Sequence, residues 1–90
     1  MFVVYILYSP GFSKIYIGYT SNLDERVKSH NELAQKGWTK KFRLWKVVYT
    51  ENFQLKKKAL AREKELKGAK GREWIWSLIK NKIADGLISA

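Results

Sequence analysis

Two stretches near the N-terminus decide the fold: KIYIGYT (residues 14–20) and the preceding FVVYILY (residues 2–8). Both are rich in the β-branched and aromatic residues that favour strands. Ser9-Pro10-Gly11 between them is a turn signal, with Gly11 free to adopt a positive φ. Residues 2–19 therefore predict a β-hairpin, and the first strand, apolar on both faces, is expected at the centre of its sheet. Gly18 is costly inside a strand unless a backbone or a ligand approaches closely there.

Capping residues and glycines predict the other elements. Asn22, with Glu25 three residues later, predicts the N-terminus of a helix that runs to about Lys36 and ends at Gly37. A third strand is expected over residues 42–50, then a helix capped by Asn52 and running to Lys67, with Gly68 as its stop, and a third helix from Arg72 to about Ile83. The order β-β-α-β-α-α predicts an α+β fold, a small three-stranded and largely antiparallel sheet flanked by helices. We expect one domain over residues 1–84 and a short tail over residues 85–90.

The charge of the chain points to a polyanionic partner. Its 90 residues carry 18 Lys and Arg against 8 Asp and Glu, a formal net charge of +10. Such an excess favours nucleic acid, because phosphate contacts release condensed counterions; a solvated surface that only aids solubility is the alternative. A membrane surface is disfavoured, since the N-terminal apolar run is too short for a span and no basic amphipathic helix is visible. The absence of cysteine fits a reducing compartment, and we expect a cytoplasmic protein.

A few polar side chains could carry chemistry. Tyr5 and Tyr16 lie on the two hairpin strands, and Arg26 and His30 are four residues apart on the first predicted helix. Glu63 shares a helix face with Leu55, Ala59 and Leu66, so its carboxylate is expected to face inward, where it needs a cation, a metal or hydrogen-bond donors. Taken singly, each has an ordinary structural interpretation: core aromatics, an exposed cation, a half-buried histidine and an internal salt bridge. With one His and no Cys, a zinc site is not expected.

Taken together and in this order, these residues resemble the GIY-YIG nuclease family. Tyr16-Ile17-Gly18 matches the second half of the family motif, whereas the first half reads Val3-Val4-Tyr5. The segment around Arg26 and His30 and the segment around Glu63 are similar to the family's next two blocks. Nearly the whole chain looks like the small stand-alone bacterial branch of that family, which is related to the N-terminal nuclease of the excision-repair incision subunit.

The resemblance implies an endonuclease that hydrolyses phosphodiester bonds in DNA rather than RNA, selecting structure rather than sequence, in DNA repair or processing. It implies Mg²⁺ or Mn²⁺ as the cofactor, with Glu63 as the only protein ligand. Arg26 would pair with the scissile phosphate, one of the two tyrosines would help to deprotonate the attacking water, and His30 would orient or relay a proton. Asn81 would hydrogen-bond within the site. No small-molecule cofactor is implied, and the oligomeric state stays open.

The surface expected to bind nucleic acid surrounds these residues. Gly18 would leave room for a phosphate, and the other expected contacts are Lys14, Trp38, Lys40, Lys41 and Arg43. Some relatives have a lysine directly after the glycine, where this chain has Tyr19, so Tyr19, Lys14 or His30 would have to compensate. These departures leave an alternative open, a nucleic-acid-binding module with little or no nuclease activity. A basic adaptor that binds protein or ribosomal RNA is a further alternative that rests on charge alone.

Overall fold

A three-stranded antiparallel sheet forms the centre of the protein. The computed structural model describes residues 1–33 and 38–88, with all side chains in those ranges except those of Leu33, Trp38 and Lys40. The strands are β1 (Phe2–Ser9), β2 (Lys14–Thr20) and β3 (Lys46–Phe53), in the order β2-β1-β3. The predicted hairpin and the central position of its first strand are therefore confirmed. Tyr5 is paired with Gly18 and Leu7 with Tyr16, so both tyrosines lie on the same face of the hairpin.

Helices cover both faces of the sheet. On one face, α1 (Leu23–Lys28) is followed directly by a π-helical turn (Ser29–Leu33) and later by the short α2 (Trp38–Lys41). On the other face, α3 (Lys56–Lys67) and α4 (Ala69–Ala84) pack over the larger apolar cluster. The α+β class and the expected order of elements are confirmed, and α2 and the π-helical turn are additions to it.

Alternation along the strands divides the core into two layers. The larger layer, between the sheet and α3 and α4, is made by Val4, Ile6, Tyr8, Ile15, Ile17, Val48, Ala59, Leu66, Ile75 and Ile79. The smaller layer on the α1 face contains Tyr5, Leu7 and Trp45, with Tyr16, Leu23, Val27 and Phe42 packed against it. The tyrosines of interest thus belong to the smaller layer, in which apolar side chains surround a few polar groups.

Local signals fixed the start of α1 but not the bounds of every element. The Asn22 side chain accepts a hydrogen bond from the Glu25 backbone N–H (3.2 Å), which confirms the N-cap. The Glu25 carboxylate accepts from Asn22 Nδ2 (3.2 Å) rather than from its backbone N–H, which bonds to Thr20 Oγ1 instead. The predicted end of this helix, at Lys36 and Gly37, lies outside the described residues.

Two expected positions between residues 42 and 56 were wrong. The third strand begins at Lys46, not residue 42, because the backbone of Trp45 is held by the Asn31 side chain. Asn52 is not a helix cap, because it is paired with Val3 inside the sheet; α3 begins four residues later, after Leu55, with no side-chain cap. In the hairpin turn, where Gly11 was free to adopt a positive φ, the residue that adopts one is Ser13 (52°).

The two C-terminal helices meet at a tight crossing. Gly68 ends α3, as expected, and α4 starts at Ala69 rather than at Arg72. A Cβ atom at Gly71 would lie 2.5 Å from the backbone of Glu65 and Leu66, so only glycine allows α4 to approach α3 this closely. Among the helices of residues 1–33 and 38–88, none is long and apolar enough to cross a membrane.

Candidate active site

The two hairpin tyrosines meet above a glycine. The ring centroids of Tyr5 and Tyr16 are 6.1 Å apart, and a Cβ atom at Gly18 would lie 2.7 Å from the Tyr5 hydroxyl and 2.9 Å from the Tyr16 ring. Any side chain larger than glycine would displace both phenols. The two tyrosine side chains therefore lie directly against Gly18, and the assignment of Gly18 as a nucleic-acid contact stays a prediction.

His30 joins this pair from the π-helical turn. Its Nε2 lies 3.0 Å from the Tyr5 hydroxyl in a buried hydrogen bond, and its ring centroid is 4.6 Å from that of Tyr16. A neutral imidazole donates from one nitrogen and accepts at the other, so the tautomer decides which of the two groups donates. Tyr5 is fully buried and His30 is 6% exposed, whereas Tyr16 is only half-buried. Tyr16 is thus the member of this trio that can meet solvent.

Burial and Arg26 together set the proton affinities of the site. Burial, with a smaller contribution from Tyr16, raises the pKa of Tyr5 to about 12, although hydrogen bonding with Arg26 and its positive charge oppose the rise. The same interaction with Tyr5 raises the pKa of Arg26. Burial first, and then the charge of Arg26, lowers the pKa of His30. At neutral pH the site therefore contains a protonated Tyr5, a neutral His30 and a cationic Arg26.

Glu63 lies on α3, which packs on the face of the sheet opposite the tyrosine cluster. It lies on α3 one turn after the buried Ala59 and one turn before Lys67, whose Nζ is 3.6 Å from Glu63 Oε1. The Glu63 side chain is 17% exposed, so the expectation that it faces inward agrees with its partial burial. Lys67 and Tyr16 both line a groove at the free edge of β2, where the α1 face and the α3 face of the sheet meet. Glu63 is therefore linked to this groove through its ion pair with Lys67.

Comparison with known proteins shows to which family this chain belongs. The family model of the GIY-YIG catalytic domain matches residues 1–76, which include both tyrosines, Arg26, His30 and Glu63. The chain belongs to the GIY-YIG family.

Relatives and a solved structure agree with that membership. The chain is similar to UPF0213 protein SH2523 of Staphylococcus haemolyticus (38% identity over 55 residues, 61% of this chain and 67% of that protein). It is also similar to UPF0213 protein CPE1444 of Clostridium perfringens (39% identity over 64 residues, 71% and 68%). The solution NMR structure of UPF0213 protein BH0048 from Bacillus halodurans matches with a TM-score of 0.51 and 31% identity, over 87% of this chain and 85% of that one. In sequence and in fold the chain is thus similar to UPF0213 proteins of bacteria.

The other predicted site residues whose side chains the structure describes are Asn81, Lys14, Lys41 and Arg43. Asn81 is exposed on α4, and its side chain makes no hydrogen bond within the described part of the chain. Lys14 lies over the Phe42 ring, with Nζ 5.5 Å from the ring centroid. Lys41 is exposed and Arg43 is half-buried. The side chains of Trp38 and Lys40 lie outside the described part of the structure.

This chain has Tyr19 where some relatives have a lysine, and Tyr19, Lys14 or His30 was expected to compensate for it. The structure shows which of these three residues contacts Tyr5 and Tyr16. Tyr19 packs against the larger core layer, on the α3 and α4 face of β2, because its side chain points away from Tyr16 and Gly18. Lys14 is engaged with Phe42, so of the three candidates only His30 contacts both tyrosines. His30 is therefore the one of these three residues that lies beside both tyrosines.

Two residues that support the site were not among the predicted ones. The Asn31 side chain accepts from the Trp45 backbone N–H (2.6 Å) and donates to the Trp45 carbonyl (3.0 Å). Trp45 is buried, donates from Nε1 to the Thr39 carbonyl (2.8 Å), and its ring lies 6.4 Å from that of Tyr16. Asn31 thereby anchors the π-helical turn that carries His30. In the sequence, the only indication of this role for Asn31 is that it directly follows His30.

Proposed function

We propose that this protein is a divalent-metal-dependent endonuclease that hydrolyses phosphodiester bonds in DNA, selecting structure rather than sequence, in DNA repair or processing. The observation that carries the proposal is the convergence of Tyr5, Tyr16, Arg26 and His30 over Gly18, at the edge strand of a domain with a net charge of +10. Groups with shifted pKa values that gather at one point are typical of catalytic sites. Membership of a nuclease family gives this cluster its chemical context.

The two tyrosines have different tasks in this proposal. Tyr5 is fully buried and holds its proton to about pH 12, so it is a weak candidate for the residue that meets water. Its hydroxyl positions His30 instead. Tyr16 is half-buried and lines the groove at the edge of β2. We therefore assign the orientation of the attacking water to Tyr16, with the neutral ring of His30 as the nearby proton acceptor.

Arg26 supplies the positive charge. It lies exposed at the rim of the buried cluster, and its interaction with Tyr5 raises its own pKa, so it stays charged throughout. A guanidinium can donate two parallel hydrogen bonds to phosphate oxygens. In this role Arg26 stabilises the charge that develops on the scissile phosphate in the transition state.

The donor set suits a hard cation held by few protein ligands. Within the described residues there is no group of three or more His, Asp and Glu side chains that could enclose a metal ion. Glu63 offers a partly buried carboxylate whose ion-pair partner, Lys67, is 3.6 Å away. Mg²⁺ usually retains several waters and binds one or two carboxylates together with substrate phosphates, so a single Glu63 fits. When bound there, the ion would stabilise negative charge on the phosphate and on the leaving oxygen.

Cleavage assays with matched variants test the proposal. Branched, nicked, duplex and single-stranded DNA and the corresponding RNA would be incubated with Mg²⁺ or Mn²⁺, and with chelator. We expect metal-dependent cleavage of DNA that falls by 100-fold or more in Arg26→Ala and is abolished in Glu63→Gln, with nucleic-acid affinity nearly unchanged in both. Glu73→Gln, which removes an exposed carboxylate from α4, is the control and should cleave like wild type.

Two results would contradict the proposal. Cleavage by Glu63→Gln at the wild-type rate would exclude Glu63 as the metal ligand. Tight binding without cleavage of any substrate, with either metal, would instead indicate the alternative, a nucleic-acid-binding module, to which the Val3-Val4-Tyr5 and Tyr19 departures also point.

A further inference from the structure

A basic groove runs along the free edge of β2, outside the cluster of Tyr5, Arg26 and His30. It has a volume of about 530 Å³ and extends from the hairpin turn at Ser13 to α3 and α4. The buried Ile15 and Ile17 lie along one side, and Lys67, Arg72 and Trp76 come from the two helices. Tyr16 lines this groove and also belongs to the tyrosine cluster, so the groove leads directly to the candidate active site.

The charges that line the groove have one sign. Its cations are Lys14, Lys67 and Arg72, all exposed, and none of the described residues that line it is acidic. Lys67 already has an acidic partner, because its Nζ lies 3.6 Å from Glu63 Oε1. Lys14 and Arg72 have no acidic partner within 4 Å among the described residues. Arg72 Nε donates to the Lys67 carbonyl (3.2 Å), and this bond holds the Arg72 guanidinium beside the groove. Fixed cations at a groove wall suit a polyanion.

Aromatic and backbone groups complete the surface. Trp76 is half-buried, with its ring in an edge contact to Tyr8 (centroids 6.1 Å apart), so part of the indole remains available at the groove. β2 is an edge strand, and the outward N–H groups of an edge strand are free to donate to phosphate oxygens. The groove thus offers the cations, donors and apolar surface that one nucleic-acid strand requires.

We propose that this groove binds the sugar–phosphate backbone of the nucleic-acid strand that continues away from the scissile phosphate. Lys14 and Arg72 hold its phosphates, and Trp76 contacts a sugar or base. The inference rests on the proposed nuclease function for the direction of the strand, but not for the binding itself. It assigns Arg72 and Trp76, neither of them among the residues predicted from the sequence, to the substrate-binding surface.

Two double variants of equal charge test the groove. Lys14→Ala/Arg72→Ala removes both cations that have no acidic partner there, whereas Lys57→Ala/Lys58→Ala removes two exposed lysines that lie with Glu51 and Phe53 at the other edge of the sheet. Binding of labelled single-stranded and duplex DNA would be measured in chelator across a KCl titration, with circular dichroism as the test of folding. We expect the groove variant to lose about tenfold or more in affinity and up to about two units of log–log salt slope. The control should change by less than about threefold.

The outcomes separate this inference from the nuclease proposal. Equal losses of affinity in the two double variants, or wild-type affinity in the groove variant, would contradict the proposal that the groove binds nucleic acid. Metal-dependent cleavage by the wild-type protein would be unaffected by that result. Loss confined to the groove variant in a protein that cleaves nothing would support the groove and overturn the nuclease proposal. If the double variant does not fold, the single Lys14→Ala change at the exposed hairpin decides between the same outcomes, with an expected slope change of about one unit.

Discussion

The Tyr5 hydroxyl lies 3.0 Å from His30 Nε2, across 25 residues of sequence and inside the smaller core layer. This hydrogen bond satisfies two polar groups that burial would otherwise penalise. It also links the central strand β1 to the π-helical turn, a type of helix irregularity that is frequent at functional sites. The buried pair is therefore both a structural element of the core and the part of the site in which pKa values are shifted.

The proton affinity of His30 can be measured without ambiguity, because the chain has one histidine. An NMR titration should give a pKa below 6.5, since burial and the charge of Arg26 both disfavour the imidazolium. Arg26→Ala removes the second cause and should raise that pKa, whereas Lys80→Ala on α4 should not.

Because the folded-state pKa is lowered, the unfolded chain binds more protons just below pH 6.5. The contribution of His30 to stability is thus complete above pH 6.5 and is lost as the pH falls from there towards the folded-state pKa. A pKa at or above 6.5 would contradict the buried arrangement.

Removing either phenolic hydroxyl should separate stability from turnover. Tyr5→Phe leaves buried His30 Nε2 without its partner and should cost about 1–3 kcal/mol of unfolding free energy. Tyr16→Phe, at a half-buried position, should cost less stability but lower turnover by roughly 100-fold if Tyr16 orients the water. Thermal unfolding and single-turnover cleavage of the two variants check this. The reverse pattern would assign the water to Tyr5.

Asn31 should contribute to both folding and activity although it carries no chemistry itself. Asn31→Ala removes both hydrogen bonds to the Trp45 backbone, with an expected loss of about 1–3 kcal/mol. Turnover should fall as well, because the π-helical turn that holds His30 loses its anchor. Asn52→Ala, at an exposed position in β3, is the control and should stay within about 0.5 kcal/mol. Equal stability of the two variants in chemical denaturation would show that the Asn31 clamp is not important.

Local sequence determined the hairpin and most of what it carries. β-branched and aromatic residues defined β1 and β2, and the two-residue alternation of strands brought Tyr5, Tyr16 and Gly18 to one face. Asn22 fixed the start of α1 through a bond that spans only three residues. Such features depend on neighbours in the chain, so the sequence alone was sufficient to predict them.

Contacts between distant residues decided the rest. The start of β3 depends on the Asn31–Trp45 clamp across 14 residues, and Asn52, a good cap by propensity, was taken instead into the sheet opposite Val3. The close approach of the Tyr5 and Tyr16 rings across the hairpin also requires glycine at position 18. The basic groove combines side chains from β2, α3 and α4, and only packing of the helices against the sheet brings them together. The sequence therefore determined which residues could form strands and share a face, whereas tertiary packing decided which groups were buried, paired or left exposed.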